Sequence, residues 1–150
     1  MFRKAVLADL DVIVASNIAL AAESEGLALD RVVVESGVRA VLSGAVSATY
    51  FVMTDDQDFF IGQAMITKEW SDWRNGDIWW LQSVYVAPAH RRRGVFRKMY
   101  AALSNEAKRA GARSLRLYVD STNAKAQQAY AAVGMKTGHY LLYEADWGNE

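Results

Sequence analysis

The chain has 150 residues, 52% of them hydrophobic and 23% charged, a balance that suits one folded domain and excludes a disordered polyelectrolyte. Seventeen Lys and Arg offset seventeen Asp and Glu, so no net charge favours a nucleic-acid coat or an anionic membrane surface. Cysteine is absent, which excludes disulfides, zinc–thiolate centres, iron–sulfur clusters and a cysteine nucleophile, and His90 and His139 alone are too few for a histidine-rich metal site. No metal, nucleic acid or membrane is therefore expected as a partner. No apolar run approaches the roughly 20 residues that span a bilayer. Asp9 and Asp11 break the N-terminal stretch where a secretion signal would need its apolar core, so the expected location is cytoplasmic.

Phe2 to Val6 reads as a short strand. From Asp9 the period turns helical, with Leu10, Ile13, Val14, Asn17, Ile18 and Ala21 on one face, Asp9 as the N-cap and Gly26 as the stop. Asp30 caps a second helix that Gly44 would end. Ala48 to Met53 and Phe59 to Ile66 read as two strands joined by the polar turn Asp55-Asp56-Gln57-Asp58. Lys68 to Asp77 reads as a loop rich in aromatics and charge, turning at Asn75-Gly76.

Ile78 to Val86 is almost continuously apolar, the pattern of a central strand buried on both faces, and Pro88 ends it. Gly94 to Ala110 is a helix whose stripe is Phe96, Tyr100, Leu103 and Ala107. Ser114 to Asp120 alternates as a strand, Asn123 to Val133 is a helix closed by Gly134, and Met135 to Glu144 is a final strand or hairpin. The strand–helix–strand unit from 78 to 120 makes those two strands parallel with a right-handed crossover. The expected order is β-α-α-β-β-β-α-β-α-β. That is a single α/β (α+β) domain over residues 1–150, a mixed sheet flanked by helices.

Arg91-Arg92-Arg93-Gly94-Val95-Phe96-Arg97 lies where the central strand hands over to its helix. A helix N-terminus already carries about half a positive charge, so arginines there fit poorly unless an anion joins them. Unpaired N–H groups beside a glycine make a phosphate cradle. A triphosphate P-loop and a G-x-G-x-x-G dinucleotide loop are both absent.

Val84-Tyr85-Val86-Ala87-Pro88 followed by Arg91-Arg92-Arg93-Gly94-Val95 resembles the strand and pyrophosphate arch of the GNAT family of N-acetyltransferases. Asn123, Ala126, Tyr130 and Gly134-Met135 are similar to that family's second cofactor segment, and the order of elements matches along all 150 residues. Phe96 departs from the pattern, since Gly or Ala is usual there; its side chain is expected to turn into the stripe with Tyr100 and Leu103. The resemblance implies direct transfer of an acetyl group from acetyl-CoA to a primary amine of a small molecule or protein. It implies that the backbone of Val84, Tyr85 and Val86 pairs with the pantetheine arm. It likewise implies that the N–H groups of Arg92, Arg93, Gly94, Val95, Phe96 and Arg97 hold the pyrophosphate. Asn123 would bond the pantetheine, and Tyr130 would be the catalytic proton donor to the departing thiolate. A homodimer stays open, because this fold often pairs through its C-terminal strands.

Gln82 and Ser83 stand where many relatives carry a glutamate base, so the base is unassigned. Glu69, Trp70 and Trp73, in the loop before the central strand, read equally as part of an amine-attracting acceptor pocket or as a surface loop pinned into the core. The alternative to an enzyme is a non-catalytic acyl-CoA-binding or regulatory module with the same fold.

Overall fold

A computed structural model describes residues 1–148. Its strands are β1 (Phe2–Lys4), β2 (Ala48–Thr54), β3 (Phe60–Ser71), β4 (Gly76–Val86) and β5 (Ser114–Arg116). The helices are α1 (Leu10–Glu25), α2 (Arg31–Leu42), α3 (Val95–Arg109) and α4 (Ala124–Ala132), with one-turn 3₁₀ segments at Leu7–Asp9 and Pro88–His90. The sheet runs in chain order from β1 to β5; the first four strands are antiparallel and β5 lies parallel to β4 across α3, as the strand–helix–strand pattern requires.

Strand alternation sends β2 side chains to two different cores. Phe51 and Met53 join Ile66, Leu81, Met99 and Leu103 under α3, whereas Tyr50 and Val52 join Ile13, Val14 and Val38 under α1 and α2. Each fully buried side chain of this size contributes roughly 1.5–3 kcal/mol. Gly62 on β3 is needed for close packing: a Cβ there would lie 2.9 Å from the Met99 sulfur and 3.0 Å from the Tyr85 carbonyl oxygen.

Helix ends follow local chemistry. Asp30 Oδ1 accepts from the Val32 N–H at 2.8 Å, and Gly26 closes α1 in the left-handed conformation at φ 64°. Asp9 stands at the α1 N-cap but does not cap it. Its carboxylate turns back to the Val6 N–H (2.7 Å) and to Arg3 (2.8 and 3.0 Å), and Arg3 holds its pKa below the usual carboxylate value.

Two expectations change. Most of the anticipated Lys68–Asp77 loop is strand, because β3 runs on to Ser71 and β4 starts at Gly76, leaving a tight turn with Asn75 at φ 47°. Cross-strand pairing of Trp70 with Asp77 and Lys68 with Trp79 outweighs the polar composition that suggested a loop. Met135 to Glu144 forms no strand. β5 is only three residues long and offers it no ladder, and Tyr140, Leu141, Leu142 and Tyr143 stay exposed. No helix among the described residues is long and apolar enough to cross a membrane.

Candidate active site

The site begins with an irregularity in β4. Its register against β3 steps from Gln63↔Tyr85 to Met65↔Gln82, so Ser83 and Val84 together face Ala64. Two residues opposite one make a bulge, which re-aims the backbone, and Ser83 takes φ 49° to form it. On its other edge β4 pairs with β5 only from Ile78 to Trp80. Beyond that the two strands part, and Leu81 to Val86 has no strand partner on the β5 side among the described residues. The gap exposes a row of backbone groups, the geometry that accepts an extended ligand as an added strand.

At the end of β4 the chain turns through Pro88–His90 and Arg92 (φ 61°) into Gly94 (φ 74°), the N-cap of α3. Among the described residues, the N–H groups of Arg92, Arg93, Gly94, Val95, Phe96 and Arg97 reach no protein acceptor. No acidic side chain occupies the first turn of α3, while Arg92, Arg93 and Arg97 are exposed around it. Free N–H groups, the helix dipole and three exposed arginines share this turn, the chemistry that suits an anion. Arg91 is not part of it. Its Nε donates to the Val86 carbonyl at 2.9 Å, its Nη2 pairs with Glu23 at 2.7 Å, and its guanidinium lies over the Tyr85 ring, tying the arch to α1.

A cavity of about 600 Å³ opens between the parted strands and the α1–α2 pair. Gln82, Ser83 and Val84 of β4 line one wall with Tyr118, Asp120, Asn123 and Tyr130. Asn123 is held as the N-cap of α4, its Oδ1 accepting from the Ala126 N–H at 3.1 Å, so its amide NH₂ is the part left for a ligand. Tyr130 is half-buried, and burial raises its pKa above the ordinary 10.0, so the phenol keeps its proton at neutral pH. Phe96 meets Tyr100, but the buried stripe of α3 is Val95, Met99, Leu103 and Ala107 rather than the expected Phe96, Tyr100, Leu103 and Ala107, and the Phe96 ring turns outward to Tyr130 of α4. Tyr85 is buried and Val86 points away, so these two contribute backbone rather than cavity lining.

The cavity also carries a polar network that the sequence reading did not assign. Asn17 Nδ2 donates to the Tyr50 hydroxyl at 2.8 Å, and Gln63 Nε2 donates to Asn17 Oδ1 at 2.7 Å and to the Ser83 carbonyl at 3.3 Å. Gln63 is fully buried and its Oε1 has no partner among the described residues. The signals for it were a lone amide in the apolar run Ile61 to Ile66 and an asparagine on the apolar face of α1. Gln82, in the place of a missing base, is held by Thr67 Oγ1 at 2.6 Å.

Glu69, Trp70 and Trp73 are not brought to this cavity. They sit at the far end of the β3–β4 hairpin, where Glu69 meets Arg116 at 3.6 Å and Trp73 is 92% exposed. The tight hairpin carries them away from the bulge, along the length of the strand. They are also not pins into the core, since Trp70 is exposed as well.

The family model of the Acetyltransferase (GNAT) family matches residues 28–135. The chain is 37% identical to a possible acetyltransferase from Clostridium difficile 630, covering 99% of this chain and 98% of that one, with a TM-score of 0.92. A predicted acetyltransferase with acetyl-CoA from Clostridium acetobutylicum is 18% identical, with 97% and 95% covered and a TM-score of 0.77. A ribosomal-protein-alanine N-acetyltransferase from Brucella melitensis biovar Abortus 2308 is 14% identical, with 99% of each chain covered and a TM-score of 0.77. No curated protein matches the chain by sequence.

Proposed function

The chain belongs to the GNAT family of acetyltransferases, and from that premise we propose that it moves an acetyl group directly from acetyl-CoA to a primary amine. One observation carries the reading. The unpaired edge of β4 leads along the chain into the N–H groups of residues 92–97, free among the described residues, and Tyr130, kept protonated by burial, packs on Phe96 within that turn. The arch takes the pyrophosphate, with Arg92, Arg93 and Arg97 adding charge. The backbone of Val84, Tyr85 and Val86 takes the pantetheine amides, and the Asn123 NH₂ a further one.

In the transfer, the amine nitrogen bonds to the thioester carbon and the C–S bond breaks. The Tyr130 hydroxyl gives its proton to the leaving sulfur, as a group that stays protonated at neutral pH can, and the proton shed by the new amide nitrogen returns to the phenolate by way of water. Backbone N–H groups at the Ser83–Val84 bulge meet the charge that grows on the carbonyl oxygen. No carboxylate lies between residues 81 and 86, so no strand base deprotonates the amine and only its neutral form attacks.

The whole chain acts as one domain, with a cytoplasmic place of work in keeping with its lack of cysteine. A homodimer is supported by the open outer edge of β5 and the exposed run Tyr140–Tyr143 beside it, where Arg116 stacks on Tyr140. The test of function is free-thiol release from acetyl-CoA across a panel of amines, with the acetylated product identified by mass. CoA that binds while no amine is ever acetylated would overturn the proposal.

A further inference from the structure

We propose that the acceptor is a small monoamine, a single primary ammonium carried on an apolar alkyl or aryl body; this rests on the acetyl-transfer reading above. With β4, Asn123 and Tyr130 assigned to the cofactor arm, the acceptor is left the opposite wall of the cavity. That wall is built by α1, the α1–α2 connection and α2.

Its side chains are mostly aliphatic: Leu20, Leu27, Leu29, Val34, Val38 and Val41. Leu27 and Leu29 stand at the mouth 50% and 38% exposed, so large apolar groups are held in water beside an apolar space. Such a surface gains when a ligand of the same character covers it.

Charge narrows the class. Glu25, on the last turn of α1, is the one carboxylate on this wall, and among the described residues no Lys, Arg or His lines the cavity at all. The other polar side chains of this wall are already engaged: the Asn17 amide donates to the Tyr50 hydroxyl, and the Ser24 hydroxyl donates to the Leu20 carbonyl at 2.7 Å. Asp120, the other carboxylate of the cavity, stands on the cofactor wall and accepts from the Thr122 N–H at 2.7 Å and the Thr122 hydroxyl at 2.5 Å, so a single ammonium finds one counter-charge on the acceptor side. A second ammonium on the same ligand would be driven against aliphatic side chains and lose its water without a partner. A carboxylate would meet no cation. The wall matches neither a polyamine nor an amino acid.

Gly37 sets the width. It lies inside α2, where glycine weakens a helix relative to alanine, and it faces the cavity with nothing within 4 Å of where a Cβ would stand. The missing side chain leaves volume for the body of the amine.

The test uses the full chain at saturating acetyl-CoA and two matched pairs of acceptors. Hexylamine is compared with 1,6-diaminohexane, and phenethylamine with phenylalanine. We expect kcat/KM at least about tenfold higher for the first member of each pair, the scale on which buried polar mismatches discriminate. Gly37→Leu should raise the KM for phenethylamine by about tenfold or more and leave the KM for acetyl-CoA within about twofold, which also reports an intact fold. A diamine or an amino acid that matches its partner overturns the inference, as does a Gly37→Leu enzyme with an unchanged phenethylamine KM. Should that variant not fold, the two pairs on the unaltered protein still decide. Amines acetylated without these preferences sink this inference alone. If none is acetylated, the transfer reading falls and takes it along.

Discussion

Tyr130 stands edge-on to Phe96, their ring centroids 5.5 Å apart and their planes at 67°. The contact joins α4 to the first turn of α3, so the proposed proton donor and the proposed pyrophosphate arch share one packing unit. An edge-to-face pair is worth roughly 0.5–1.5 kcal/mol beyond its buried area. Tyr130→Phe keeps this contact and removes only the hydroxyl. It should lower kcat by about 10²–10⁴-fold, the usual contribution of a general acid, with CoA affinity within about twofold by calorimetry. Parental turnover would reduce Tyr130 to a packing residue.

The arch is tested by a pair of substitutions at Gly94. Its φ of 74° disfavours any side chain by roughly 1–2 kcal/mol, although a Cβ there would meet nothing within 4 Å. Asn tolerates this backbone best and adds no charge. Gly94→Asn should therefore bind CoA within about threefold of the parent. Gly94→Asp, of the same shape, places a negative charge beside the pyrophosphate and should weaken binding by at least about tenfold. Equal affinities for the two variants would remove the anion from this turn.

The pH profile follows from the groups present. An acceptor amine of pKa about 9–10 is mostly ammonium at pH 7, so kcat/KM should rise about tenfold per pH unit until that value is neared. The acid side of the reaction does not oppose it, because burial holds Tyr130 protonated past its ordinary 10.0. The same shift affects stability with a definite sign. The folded state keeps the phenolic proton longer than the unfolded chain, so its contribution is complete below pH 10 and is lost as pH rises through the raised value. A plateau governed by an enzyme pKa near roughly 6–7 would reveal a protein base instead.

Gln63 ties the β4 bulge to α1 through its bonds to the Ser83 carbonyl and Asn17. Gln63→Leu keeps the bulk, relieves the unpartnered Oε1, and leaves two acceptors without their donor. The net cost should be about 1–2 kcal/mol of stability in denaturant titrations. With the bulge less firmly held, kcat should fall about tenfold while the KM for acetyl-CoA changes little. A loss of stability with kcat unchanged would make the network purely structural.

Trp73 is a control for the acceptor route. It is 92% exposed at the hairpin tip, remote from the cavity. Trp73→Ala should leave both Michaelis constants within about twofold and stability within about 0.5 kcal/mol. A rise in the acceptor KM alone would return the hairpin to the substrate site.

What the sequence determined by itself is what depends on neighbours along the chain. Asp30 and Gly26 bound their helices because a cap is made by residues within a turn of it. Ile78–Val86 declared itself a strand by composition, and the arginine run after it marked the proposed anion site because dipole and charge add locally. What only the tertiary structure decided depends on partners distant in sequence. The bulge at Ser83 exists by virtue of its register against β3, which no pattern in β4 alone reveals. Gln63, Asn17 and Tyr50, from three separate elements, meet only when α1 packs on the sheet. The aromatics of the β3–β4 hairpin suggested a pocket by composition, but strand pairing extends them away from the bulge. The apolar wall of α1 and α2, the proposed acceptor surface, exists only because the fold sets it across from the parted strands. Composition reports what a segment can bind; distance from the reacting atoms is fixed by packing.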